Sequence, residues 1–427
     1  MGRAEFARRL RSASVAGPMR REHSVGEGGG AAMVIEEASP DRFVEAFMTA
    51  AAGSGPVFLA DPSWGTSERE QLAALLNARG EPAPARWRRA SSDRGWLMIP
   101  SGGTSGRLKF ARHDEETIAA AVGGFLSHFS ATRIDALGVL PLHHVSGFMA
   151  WMRCALTSGA YVAGSWKALE RGDIPALPPS GGFRCVSLVP TQVHRLLGSP
   201  AAVAWLRQYD AVFLGGGPPW PELLEAAARA ELPLCPSYGM TETAAMAAAQ
   251  LPGEFRAGLR SSGRPLPHIG FATGESGTVR LSGESVFLGY YPSWRADSAF
   301  ETEDLGSLDD RGQLHLSGRR DAVIITGGKK VDPEEVEAAL RATGCFEDVA
   351  VIGLADEEWG GLVIACYPQS GPSPDIAAAA RRLSQLAAFK RPRRYVPIEP
   401  WPRNAQGKLN RAALAGLAAG RESGSLP

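Results

Sequence analysis

Residues 101–109 read SGGTSGRLK. Consecutive small residues let backbone N–H groups converge on an anion. Ser101, Thr104 and Ser105 add hydroxyls, and Lys109 adds positive charge. The stretch nevertheless misses the phosphate-loop spacing G-x-x-x-x-G-K-[ST]: five residues after Gly102 stands Arg107, and five after Gly103 stands Leu108. That loop opens a helix, whereas here the near flanks, RGWLMIP (94–100) and FARH (110–113), are strand-like. The stretch therefore reads as a flap between two strands. By composition alone it could equally be a Ser/Gly surface turn.

Around this flap, apolar strands alternate with helices. GPVFLADP (55–62), DALGVLPL (135–142), FRCVSLVP (183–190) and YDAVFLGGG (209–217) read as strands; SEREQLAALLNARG (67–80), TQVHRLLG (191–198) and PPWPELLEAAARAEL (218–232) read as helices. SEREQ carries a Ser cap and early acidic residues. The alternation predicts an α/β domain with a largely parallel sheet, and ligands in such domains sit at the carboxyl ends of the strands. Near residue 263 the texture changes. SGTVRLSGESVFLGYYP (276–292) and RGQLHLSGRRDAVIITGG (311–328) predict short strands of a β-rich subdomain. Beyond them, DPEEVEAALRA (332–342) and PDIAAAARRLSQLAAFK (374–390) predict helices flanking the strands EDVAVIGL (347–354) and LVIACYP (362–368). The expected division is a disordered tail over 1–32, a large domain over 33–317, a hinge at 318–321 and a small α+β domain over 322–427. Met19 and Met33 stand as alternative starts.

The bulk properties narrow the partners. The 427 residues carry 45 Lys plus Arg against 45 Asp plus Glu, which gives no reason to expect nucleic acid or an anionic membrane. No apolar run approaches the roughly 20 residues of a membrane span. The five cysteines, Cys154, Cys185, Cys235, Cys345 and Cys366, form no C-x-x-C pair, so neither a zinc framework nor a disulfide scaffold is expected and a cytoplasmic setting fits. Nothing singles out a monomer over a homodimer.

Three further stretches carry chemistry. SYGMTE (237–242) sets an aromatic ring, a glycine, a hydroxyl and a carboxylate within six residues. Tyr238 could stack on a base, Thr241 donate to phosphate, and Glu242 hold magnesium through oxygen; an ordinary turn and helix cap would use the same residues. ETEDLGSLDDRGQLHLSGRRD (301–321) sets Asp304 against Arg319, which suits a pair of ribose hydroxyls or a surface ion pair. PRNAQGKLNR (402–411) places Lys408 in a turn-like loop.

In this order and at these separations, the stretches resemble the adenylate-forming superfamily of acyl-CoA synthetases, adenylation domains and beetle luciferases. LPLHHVSG (140–147), LGGG (214–217), SYGMTETA, ETEDLG, SGRRDAVIITGGKKVDPEEVE (317–337) and VIGLADEEWG (351–360) join SGGTSGRLK and PRNAQGKLNR in the match, which covers about 96–412. The region before residue 96 is shorter than is usual there. The resemblance implies activation of a carboxylate by ATP, with magnesium, to an acyl-adenylate and pyrophosphate, followed by displacement of AMP by coenzyme A.

It also implies roles. Ser101, Gly102, Gly103, Thr104, Ser105, Gly106 and Lys109 hold the leaving pyrophosphate. Gly215, Gly216, Gly217, Tyr238 and Gly239 line the adenine pocket. Thr241 contacts the α-phosphate, Glu242 takes the metal, and Asp304 and Arg319 hold the ribose. Lys408 bridges the carboxylate and the α-phosphate. Asp321 is the hinge about which the C-terminal domain turns, and Gly327 and Gly328 line the path for coenzyme A.

The acid is read from LPLHHVSGFMAWMRCALTSGA (140–160). His144 falls where the family keeps an aromatic or His gate to the acyl pocket, with His143 where Phe is commoner. Arg153 stands among apolar residues and demands an anion; a structural carboxylate or a second carboxylate on the substrate would serve. Ser187 and Thr191 add hydroxyls. The pattern resembles the 2-succinylbenzoate–CoA ligases of menaquinone and phylloquinone biosynthesis. A ligase for another aryl or medium-chain acid, an enzyme loading a carrier protein, and a nucleotide-binding pseudoenzyme are the alternatives.

Overall fold

The computed structural model describes residues 2–12, 31–78, 83–84, 94–101, 108–179, 181–274, 276–356, 359–403, 409–421 and 424–425. The strands fall into four larger sheets and one hairpin. The first sheet aligns Met33–Ile35, Val57–Leu59 and Leu97–Ser101 in parallel, and Lys109–His113 closes it antiparallel. Ser101 and Lys109 are its last paired residues, so residues 102–108 join two antiparallel strands, as the flanks led us to expect.

The second sheet has seven strands. Tyr161–Ala163, Ile134–Gly138, Phe183–Leu188, Ala211–Leu214 and Leu234–Met240 run parallel in that order; Ala245–Ala249 and Arg264–Pro265 extend it antiparallel. Strands Ile134–Gly138 and Ala211–Leu214 are buried along their length, which explains their largely apolar sequence. Helix Val145–Leu156 is apolar almost all round because it has no solvent face. One side packs with Val57, Leu59, Leu97 and Ile99 of the first sheet. Its Cys154 packs with Ile134, Cys185 and Phe213 of the second.

The third sheet, Ile269–Thr273, Thr278–Gly283, Ala299–Leu308 and Leu314–Arg319, is antiparallel throughout. A hairpin, Ile324–Thr326 with Lys329–Val331, then leads into the C-terminal sheet, where Ala350–Asp356 and Gly360–Pro368 pair antiparallel and Arg394–Ile398 joins in parallel. Helices Pro333–Ala342 and Ile376–Arg382 cover one face of it and Arg411–Ala419 packs on the other.

Several local expectations change. The tail expected over 1–32 contains a helix, Arg3–Ser12. Leu10 lies one turn from Phe6 and Ala7, and all three are buried against Phe43, Phe47 and Trp96. Arg3 donates to the carbonyls of Ala50, Ala51 and Gly55 and lies 4.2 Å over the Trp96 ring. Helix Thr66–Asn77 starts ahead of Ser67: Gly65 is the cap, its N–H bonded to Glu68. VFLGYY (286–291) is not a strand, and the long helix expected over 374–390 ends at Arg382 and continues as two 3-10 turns. Among the described residues all five cysteines are free and no helix is long and apolar enough to cross a membrane.

Candidate active site

The site gathers where the second sheet turns antiparallel. Strand Leu234–Met240 runs into a 3-10 turn, Thr241–Thr243, and the chain reverses through Ala244 and Ala245, both at positive φ (51° and 75°). That left-handed pair costs about 1–3 kcal/mol per residue and holds the carboxylate of Glu242 in a fixed place. Gly239 cannot carry a side chain there, since a Cβ would lie 1.8 Å from the Ala245 carbonyl oxygen. The turn is pinned from three sides. The Glu242 carbonyl accepts from the Phe287 N–H (2.8 Å), His113 Nε2 donates to the Thr241 carbonyl (2.8 Å), and Thr241 Oγ1 donates to the Pro100 carbonyl (3.3 Å). His113 is fully buried, and burial pulls its imidazole down to about 4, so it stays neutral.

Glu242 is buried, and its Oε1 accepts from Ser101 Oγ (2.6 Å) and from the Tyr290 hydroxyl (2.7 Å). Among the described residues its Oε2 takes no hydrogen bond, which leaves a hard oxygen donor for a cation such as magnesium. Lys109 Nζ lies 5.4 Å from the Tyr290 ring centroid. Both ends of the 101–109 stretch therefore meet at Glu242: Ser101 directly, and Lys109 through the ring that bonds it. Gly102, Gly103, Thr104, Ser105, Gly106 and Lys408 lie outside the described residues. Tyr290 is a site residue the sequence reading missed; its one signal is the aromatic pair that follows Gly289 in VFLGYYP.

The Tyr238 hydroxyl donates to Asp304 Oδ2 (2.7 Å), and burial beside that carboxylate pushes the phenol far above its ordinary value. Asp304 and Arg319 are direct partners across neighbouring strands, and Arg319 Nη1 donates to Asp304 Oδ1 (2.8 Å). The same guanidinium grips Asp321 with two bonds, Nε to Oδ1 (2.8 Å) and Nη2 to Oδ2 (2.7 Å). Tyr238, Asp304, Arg319 and Asp321 thus form one continuous chain of hydrogen bonds.

Gly215, Gly216 and Gly217 follow strand Ala211–Leu214 beside Ser237, whose hydroxyl donates to the Leu214 carbonyl (3.1 Å); Gly216 sits at φ 83°. They lie at the carboxyl ends of adjacent parallel strands, where this architecture keeps its ligands. Gly327 and Gly328, at φ 53° and 73°, make the two-residue turn of the Ile324–Val331 hairpin; the Gly327 N–H donates to the Trp359 carbonyl (2.8 Å).

His144 caps helix Val145–Leu156 and Arg153 lies in its last turn. Nine residues separate them, about 14 Å along a helix axis. Burial holds His144 neutral, down to about 3. Arg153 is 4% exposed, its guanidinium 4.1 Å over the Phe125 ring. Burial lowers it to about 10, and Nε has no partner. Among the described residues no carboxylate lies within ion-pair distance of it. Ser187 follows Cys185 by two residues on strand Phe183–Leu188 and so shares the face that Arg153 approaches. Thr191 opens helix Pro190–Leu197 just beyond.

The AMP-binding enzyme family matches residues 30–291. The chain belongs to that family. Among curated relatives, a probable 2-succinylbenzoate–CoA ligase of Mycobacterium tuberculosis is 32% identical over 347 residues, spanning 76% of this chain and 85% of the relative. Among solved structures, o-succinylbenzoate CoA synthetase (MenE) from Bacillus subtilis in complex with the acyl-adenylate OSB-AMP superposes with a TM-score of 0.70 at 22% identity, covering 99% of this chain and 93% of that one. The same Bacillus enzyme in complex with ATP and magnesium superposes at 0.61 and 23% identity over 86% and 80%. The architecture is that of the adenylate-forming enzymes.

Proposed function

We propose that this chain is an ATP-dependent acid–CoA ligase acting on 2-succinylbenzoate. The observation that carries the choice of acid is Arg153, a guanidinium buried without a carboxylate. A buried charge of this kind is costly unless an anion meets it. A substrate with two carboxylates supplies one for chemistry and one for Arg153, and the Ser187 and Thr191 hydroxyls are assigned to the same acid. Membership of the AMP-binding family and the Mycobacterium relative support the same reading.

In the first step a substrate carboxylate oxygen attacks the α-phosphorus of ATP. A P–O bond forms, the bond to the β-phosphate bridging oxygen breaks, and pyrophosphate leaves with the electron pair. Two anions meet, so oriented donors and positive charge must be focused on them. The resemblance assigns the 101–109 stretch and Lys109 to the phosphates, and Lys408 to the carboxylate and the α-phosphate. Tyr238 and Gly215–Gly217 hold the base, while Asp304 and Arg319 hold the ribose. Glu242, fixed by Ser101 and Tyr290, is the protein's ligand for magnesium, which when bound neutralises phosphate charge. In the second step the coenzyme A thiolate attacks the acyl carbonyl and AMP leaves, giving the thioester; Asp321 is the pivot and Gly327–Gly328 the narrow point of the thiol's path. Five free cysteines accord with a reducing, cytoplasmic setting.

The test is thioester formation by the purified protein with ATP, magnesium and coenzyme A. Turnover of 2-succinylbenzoate well above benzoate, medium-chain acids and carrier-protein acceptors supports the proposal. A monoacid turned over at equal or higher kcat/KM rejects the acid assignment, and no turnover of any acid rejects the ligase.

A further inference from the structure

Asp61 and His143 have no part in the reaction just described, yet both are buried beside the acyl gate. Asp61 follows strand Val57–Leu59, and His143 and His144 stand on the turn that opens helix Val145–Leu156. The three meet across two elements of the core. Asp61 Oδ1 is occupied, accepting from the Ser63 N–H (2.8 Å) and Oγ (2.7 Å). Its Oδ2 is turned to the imidazoles, 3.4 Å from His143 Nε2 and 3.7 Å from His144 Nε2. These separations exceed ordinary N–H···O lengths. Both Nε2 atoms are sealed from solvent and have no hydrogen-bond partner.

One carboxylate oxygen and two imidazole nitrogens thus stand off from one another, all within 4.8 Å. Donor atoms around a tetrahedral cation with 2.0–2.1 Å bonds are separated by about 3.3–3.4 Å, and the two carboxylate–imidazole separations, 3.4 and 3.7 Å, lie close to that. The Ser63 bonds fix the orientation of the carboxylate, as supporting bonds do around metal ligands. We propose that Asp61, His143 and His144 form a binding site for a first-row divalent cation, zinc above all, with the fourth position open. Two nitrogens and one oxygen suit zinc and exclude a preference for magnesium or calcium, which take oxygen shells. The site is distinct from Glu242 and does not depend on the ligase reading. A filled site would pin His143 and His144 at the acyl gate.

The test is equilibrium dialysis of the chelator-stripped full chain against Zn2+ and then Co2+, without nucleotide. The wild type is expected to hold one equivalent and to give the visible absorption of four-coordinate cobalt. Asp61→Asn and His143→Phe should each weaken binding at least tenfold with an unchanged melting temperature, while Glu242→Gln keeps it. No tight equivalent in the wild type, or a His143→Phe protein that binds as well, overturns the proposal. Where a variant fails to fold, zinc K-edge spectroscopy of the wild-type holoprotein decides: two imidazoles and oxygen support the site, and a sulfur or all-oxygen shell overturns it.

Discussion

A carboxylate that takes a metal works only if it is aimed, and Glu242, the ligand proposed for magnesium, is aimed by two hydroxyls on the same oxygen, from Ser101 and Tyr290. Supporting hydrogen bonds of this kind are worth about 10–100-fold in metal affinity. Tyr290→Phe should therefore raise the magnesium concentration for half-maximal adenylation on the order of tenfold while leaving the acid KM nearly unchanged. A magnesium titration of pyrophosphate release checks this. His113 gives a second prediction. Its folded value, about 4, lies below the ordinary 6.5, so between those pH values the unfolded chain binds the proton and the folded one does not. Stability is then complete above about pH 6.5 and falls as pH drops towards 4, by as much as about 3 kcal/mol. Denaturant titrations at stepped pH should show that fall, and His113→Gln should flatten it. The Asp304–Arg319 pairing was legible because both residues sit in one local stretch. Tyr290 and the Asp61–His143 contact were not legible, because their partners lie 48 and 82 residues away along the chain.

Elements were legible where the apolar run was long, as in the buried parallel strands. They failed where burial was carried by a few residues. Helix Arg3–Ser12 is strongly basic, and Phe6, Ala7 and Leu10 are a thin signal within it. Yet Phe6 and Leu10 are fully buried and Phe6 meets Trp96 edge-on at 6.2 Å. Phe6→Ala should cost about 3 kcal/mol of stability, as buried Phe truncations do. An unchanged urea midpoint would mean that the helix does not contribute to the core. The short helix Ile376–Arg382 failed for another reason. Its continuation LSQLAAFK (383–390) holds no Gly or Pro to stop a helix, but the chain there breaks into 3-10 turns packed on the C-terminal sheet through Leu383, so tertiary contacts override propensity.

On the scale of the molecule, the reaction reading requires one site to serve two steps. Arg319 bonds both Asp304 and Asp321, so the residue proposed for the ribose and the residue proposed for the pivot share a guanidinium. Two substitutions separate the steps. Lys408→Ala should abolish adenylation yet spare thioester formation from synthetic acyl-adenylate, and Asp321→Pro should impair the second half-reaction more than the first. Single-turnover assays of each half-reaction check both, and equal loss in both halves would contradict a moving domain. The identity of the acid rests on Arg153, and the measurement that decides it is the KM for 2-succinylbenzoate in Arg153→Ala. The account predicts a rise on the order of 100-fold with the KM for ATP unchanged, because only the second carboxylate loses its partner. An unchanged KM for the acid, in a protein that still folds and binds ATP, would contradict it.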